Sequence, residues 1–166
     1  MVSQADFTAE EWQLLLEAPV LAGMAVTAAE PSGVWGLLKE SFAAGGALAR
    51  ARTDAAANPL VKAVADAYAG AEGRAAAREG LRAQLGGGPP GELKQKAIAG
   101  MTRALAAVAA KDAADAAAFR DWLEDTARHV AEASTEGGFL GFGGVRVSDA
   151  EKATLAEIET ALRAIA

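Results

Sequence analysis

His129 is the only histidine in the 166-residue chain. Read on a helix, Asp125 lies one turn before it and Glu132 three residues after it, so the three side chains are neighbours. A carboxylate–imidazole cluster of this kind can act as a general acid or base. The plainer reading is a solvated helix flank, and it is favoured, because nothing adjacent supplies a nucleophile or a second polar group. One histidine cannot form a His–His metal pair. With no cysteine there is no thiolate nucleophile, no Cys-based zinc site and no disulfide framework. No Ser-His-Asp arrangement is legible either.

The segment Gly137-Gly138-Phe139-Leu140-Gly141-Phe142-Gly143-Gly144 has the glycine density of a phosphate-binding loop. It lacks the Gly-Lys-Ser/Thr ending that would hold phosphate and magnesium, and no strand precedes it as a dinucleotide fingerprint requires. It reads instead as a loop whose large apolar side chains anchor on the core, with an exposed contact site as the alternative. Arg74, Arg78 and Arg82 recur every fourth residue and share a helix face. They could attract an anion, but a solvated face is the expected role. Glu10, Glu11 and Glu17, and likewise Asp121, Glu124 and Asp125, read as acidic helix surface. Without a loop donating carbonyl oxygens they do not make a calcium site.

These residues must be positioned by helices. The composition is 52% hydrophobic, enough for a packed core without metals or disulfides. A formal charge of −6 argues against a nucleic-acid partner, which needs clustered Lys and Arg. The N-terminal stretch carries Asp6, Glu10 and Glu11 where a signal peptide would be basic. The stretch Leu14 to Ala29 is interrupted by Glu17 and Pro19 and is too short to span a bilayer. It reads as a buried helix. The absence of cysteine suits a reducing cytoplasm.

Thr8 and Glu11 form a capping box, and Phe7 and Trp12 occupy the positions of a hydrophobic staple. Pro19 predicts a kink or a fresh helix start. Pro31-Ser32-Gly33 breaks the run, and Val34, Leu37, Leu38, Phe42 and Leu48 resume it on one stripe through Gly45-Gly46. Asn58-Pro59 is a cap followed by proline at the first helical position. Gly70 and Gly73 interrupt that helix before Arg74 to Leu85 resumes the pattern. Gly86 to Gly91 reads as a hinge between two halves of one fold. Leu93 to Val108 and Phe119 to Val130 give two further stripes, and Ser148 with Glu151 caps a last helix carrying Leu155, Ile158, Leu162 and Ile165. The expectation is an all-α, single-domain bundle of six to eight helices over residues 1–166.

Residues 28–37 can be laid over 133–142 so that Gly33 meets Gly138 and Gly36 meets Gly141, with apolar residues at matching places. This predicts a helix–loop–helix unit used twice. Chance similarity in an Ala- and Gly-rich chain is the competing account. The stretch Val130 to Leu162, with its Gly-containing loop and its Ser148-Asp149-Ala150-Glu151 start, resembles the repeated unit of tellurite-resistance TerB-like helical proteins. The resemblance implies an internally duplicated all-helical fold in a bacterial stress-response setting. The acidic Asp-Gly loops that such units use for metal are missing here. Glu30, Ser32 and Glu136 stand in their place, so the metal-linked activity does not carry over.

The functional expectation is a non-catalytic cytoplasmic interaction domain, with no cofactor and a protein partner or a second copy of the chain. The alternative is a small apolar ligand held in a pocket between the two glycine loops, lined by Trp35, Phe139 and Phe142. An enzyme centred on His129 is the third and least favoured reading.

Overall fold

The computed structural model describes residues 1–29, 45–86, 90–135 and 147–165. Among them every regular element is helical. We number the helices α1 (Ala9–Thr27), α2 (45–53), α3 (Pro59–Ala69), α4 (Ala71–Leu85), α5 (Leu93–Ala109), α6 (Ala113–Thr135) and α7 (Asp149–Arg163). The six-to-eight-helix bundle expected from periodicity is the fold observed.

Local chemistry sets several helix starts. The Thr8 hydroxyl accepts from Glu11 N–H at 3.1 Å, and the Glu11 carboxylate accepts from Thr8 N–H at 2.9 Å. Ser148 and Glu151 repeat the arrangement at the start of α7, at 3.1 and 2.8 Å. Each box satisfies backbone donors that the first helical turn leaves over. The staple also forms, with the Phe7 and Trp12 rings 6.0 Å apart. Lys111 lies 5.2 Å from the Phe7 ring centroid and pairs with Glu11 at 3.1 Å, tying the entry of α1 to the end of α5. Asn58 caps α3 through Leu60 N–H at 2.8 Å, and Asp112 caps α6 through the N–H groups of Ala114 and Asp115, both at 2.9 Å.

The centre of the bundle is α1. It packs most extensively on α5, is flanked by α6 and α4, and touches α3 and α7. Leu15 through Pro19 are five consecutive buried residues, followed by Leu21, Ala22 and Gly23. A helix apolar on all sides is one enclosed on all sides. Pro19 neither ends α1 nor begins a new helix, since the helix runs without interruption from Ala9 to Thr27. Proline lacks the N–H that would close the turn on Leu15, and enclosure by neighbouring helices carries the segment through. Leu60 and Val64 of α3, Met101 and Leu105 of α5, Phe119 and Leu123 of α6, and Ile158 and Leu162 of α7 meet α1 in one core. That core draws on both sides of the Gly86–Gly91 stretch. Gly70, with extended backbone, separates α3 from α4, whereas Gly73 lies inside α4.

Candidate functional site

Trp35, Phe139 and Phe142, together with the two glycine loops expected to match, lie outside the described residues. His129 is described. Its side chain is 36% exposed, with Nδ1 2.8 Å from the Asp125 carbonyl oxygen and 3.2 Å from Asp125 Oδ2. These contacts stay within one turn of α6 and anchor the ring on its own helix. His129→Ala is therefore expected to change unfolding free energy by less than about 1 kcal/mol, measured by chemical denaturation. Arg74, Arg78 and Arg82 are all exposed, as expected of a solvated face. The Arg74 guanidinium turns back to the Ala69 carbonyl at the end of α3.

The acidic positions divide. Asp121 pairs with Arg120 at 2.8 Å, and Glu124 lies 3.5 Å from Arg163 and 4.0 Å from Arg120. Glu17 corrects the expectation of acidic surface, for it is 1% exposed and faces the interior. Burial in low-polarity surroundings raises its pKa above the ordinary glutamate value, against the opposing effects of a Gln13 hydrogen bond and the Arg103 charge. Among the described residues, no group of three or more His, Asp or Glu side chains could hold a metal ion. No described helix is long and apolar enough to cross a membrane.

The structure also assembles a site that the sequence reading missed. A cleft of about 280 Å³ opens between α2, α3 and α6. Its apolar lining comes from Ala47, Ala51, Val61 and Ala118, and its polar groups are Arg50, Asp54, Asn58, Trp122 and Asp125. Helix spacing explains the local half of the arrangement. Ala47 and Ala51 are one turn apart on α2, as are Arg50 and Asp54 at its end, and Trp122 and Asp125 share a face of α6. Small alanines at the contacts leave the space open.

Several of these polar groups are already engaged. Asp54 accepts from Ala56 N–H at 2.8 Å, Asn58 caps α3, and Asp125 holds Arg128 at 3.4 Å. Two are idle. Among the described residues the Arg50 guanidinium, which is exposed to solvent, has no ion-pair partner, although two carboxylates line the same cleft. The Trp122 indole N–H is enclosed, so it does not open into the cleft, and it meets no acceptor among the described residues. An enclosed donor without an acceptor costs about 1–3 kcal/mol. Trp122 is held by the Phe119 ring, 5.7 Å away and tilted by 57°. The cleft thus combines a cation that has no ion pair among the described residues with carboxylates and a small apolar lining. No family model, curated protein or solved structure matches the chain.

Proposed function

We propose that the chain acts by binding rather than by making or breaking bonds, as a helical interaction domain whose small-ligand site is the α2–α3–α6 cleft. The observation that carries this reading is one cleft that sets the Arg50 guanidinium beside the Asp54 and Asp125 carboxylates over a small apolar lining. Arg50 suits a carboxylate, while Asp54 and Asp125 suit an ammonium group. The complementary ligand is a small zwitterion of amino-acid type, which a cavity of about 280 Å³ accommodates. Calorimetric titration with each of the common free amino acids tests it. At least one should bind saturably, and Arg50→Ala should weaken it about tenfold or more, as loss of a charged hydrogen bond predicts. No binding by any of them, or binding indifferent to Arg50, overturns the proposal.

Contact with another protein is the second reading, supported by a shallower groove of about 420 Å³ between α5 and α7. Ile98, Ala153, Ala156 and Ala161 line it, with Glu157 and Gln95 also at its margin. Small apolar residues of this kind admit the close approach of another helix. The TerB-like resemblance of 130–162 adds a bacterial, cytoplasmic stress-response setting to the proposal. Comparing survival of strains with and without the chain under tellurite tests that setting.

A further inference from the structure

Glu17 sits where α1, α4 and α5 converge. Its carboxylate accepts from the Gln84 side-chain amide of α4 and is hydrogen-bonded by Gln13, one turn back on α1. Opposite it stands Gly80 of α4, where a methyl group would overlap both the Glu17 carboxyl and the Gln13 amide. The junction closes only because that side chain is missing. Gly100 of α5 plays the same part for Gln84, since a methyl there would come within 2.6 Å of Gln84 Oε1.

The charges around this junction are few. Arg103 of α5 acts on Glu17 through space, without an ion pair among the described residues, and is itself exposed. Among the described residues, Arg103 is the one charge that acts on it. Two amides therefore meet a buried carboxyl that has no buried counter-charge, the arrangement in which the ionised form is penalised. Gln84 Oε1 is also enclosed and lacks a donor among the described residues. A proton on Glu17 removes the charge and supplies the kind of donor this junction lacks.

We propose that Glu17 is a proton-operated latch for α4: neutral, it lets α4 dock on α1 and α5, and ionised, it loosens that docking. The helix it controls has few fully buried residues, with Ala76, Leu81 and Leu85 only partly buried against the core. Ala77 and Gly80 are the buried residues of α4, and glycines with extended backbone bound it at both ends. Segments with little apolar burial are those that open first. The proposal rests on different residues from the cleft and stands or falls separately.

The sign follows from the raised pKa. Glu17's contribution to stability is complete below the ordinary glutamate value of about 4.3 and is lost as pH rises through its higher folded-state value. Asp6, Glu11 and Asp112 behave oppositely, because hydrogen bonds to Ser3, to Thr8 and to the Met1 amino group hold them below their ordinary values. Amide hydrogen exchange from pH 5 to pH 8, corrected for intrinsic rates, separates the two behaviours. In the wild type, protection across α4 should fall about tenfold relative to α6, the size expected from losing one buried polar contact. In Glu17→Gln, that relative change should vanish. Parallel pH dependence of α4 and α6, or the same α4 response in Glu17→Gln, overturns the proposal. Carbon-13 titration of the Glu17 carboxyl in the wild type tests it even if the variant misfolds. A midpoint above the ordinary glutamate value supports the latch, and one at or below it defeats it.

Discussion

Phe119→Ala is expected to cost about 3–5 kcal/mol of unfolding free energy, the largest effect of any single truncation considered for this fold. Phe119 is fully buried on the inward stripe of α6, which also carries Ala116, Leu123, Ala127 and Ala131, all at 0% exposure. Alanines form much of that stripe, so few large side chains are available to collapse into the space the ring vacates. A loss of this size is a large fraction of the roughly 5–15 kcal/mol that holds an ordinary domain together. Urea denaturation of wild type and variant measures it, and a cost below about 1.5 kcal/mol would show that the neighbouring helices close over the gap. The same substitution removes the ring against which Trp122 rests. Any affinity of the α2–α3–α6 cleft should therefore drop in a variant that is still folded at the temperature of measurement.

Asp115→Ala is expected to cost about 2–4 kcal/mol, through donors left without acceptors rather than through lost packing. Asp115 is 3% exposed. Its Oδ1 accepts from the Asn58 side-chain amide at 2.8 Å, and its Oδ2 accepts from Val2 N–H at 2.5 Å. Asn58 in turn offers its own oxygen to Leu60 N–H and Val61 N–H at the start of α3. One carboxylate therefore fixes the amide that caps another helix, and removing it frees Asn58 to rotate out of its capping position. If the groups act as one network, Asp115→Ala combined with Asn58→Ala should cost clearly less than the sum of the two single changes. Chemical denaturation of the three variants completes the cycle. Strict additivity would mean that Asn58 caps α3 without help from Asp115.

The features legible in the sequence were those closed within one helical turn. The boxes at Thr8–Glu11 and Ser148–Glu151, the staple of Phe7 and Trp12, and the Asn58-Pro59 start all depend on residues no more than five positions apart. Their formation needs little tertiary information. Pro19 was read as a kink or a fresh start, and no new helix begins there because the helix runs on through it, enclosed by its neighbours. Glu17 misled for a related reason. A charged residue amid Leu14, Leu15, Leu16 and Ala18 has no apolar-free face to occupy, so the all-round hydrophobicity of α1 was itself a signal of burial. The cleft could not be read in this way. It depends on how α2, α3 and α6 come together across more than sixty residues, and the alanines that leave it open look like ordinary helix formers. Trp35, Phe139 and Phe142 lie outside the described residues.

The central position of α1 also has a consequence for the order in which the chain acquires its structure. This helix precedes nearly every surface that encloses it, and its most extensive neighbour, α5, is complete only at Ala109. At synthesis rates of about 5–20 residues per second, the interval between the two is on the order of ten seconds. During it, an apolar helix has emerged with its main partner still unmade. Folding on the ribosome therefore cannot proceed from the N-terminus as a series of finished pieces. The packing of α1 must wait for the second half of the chain, and until then the helix is an apolar stretch without its main partner.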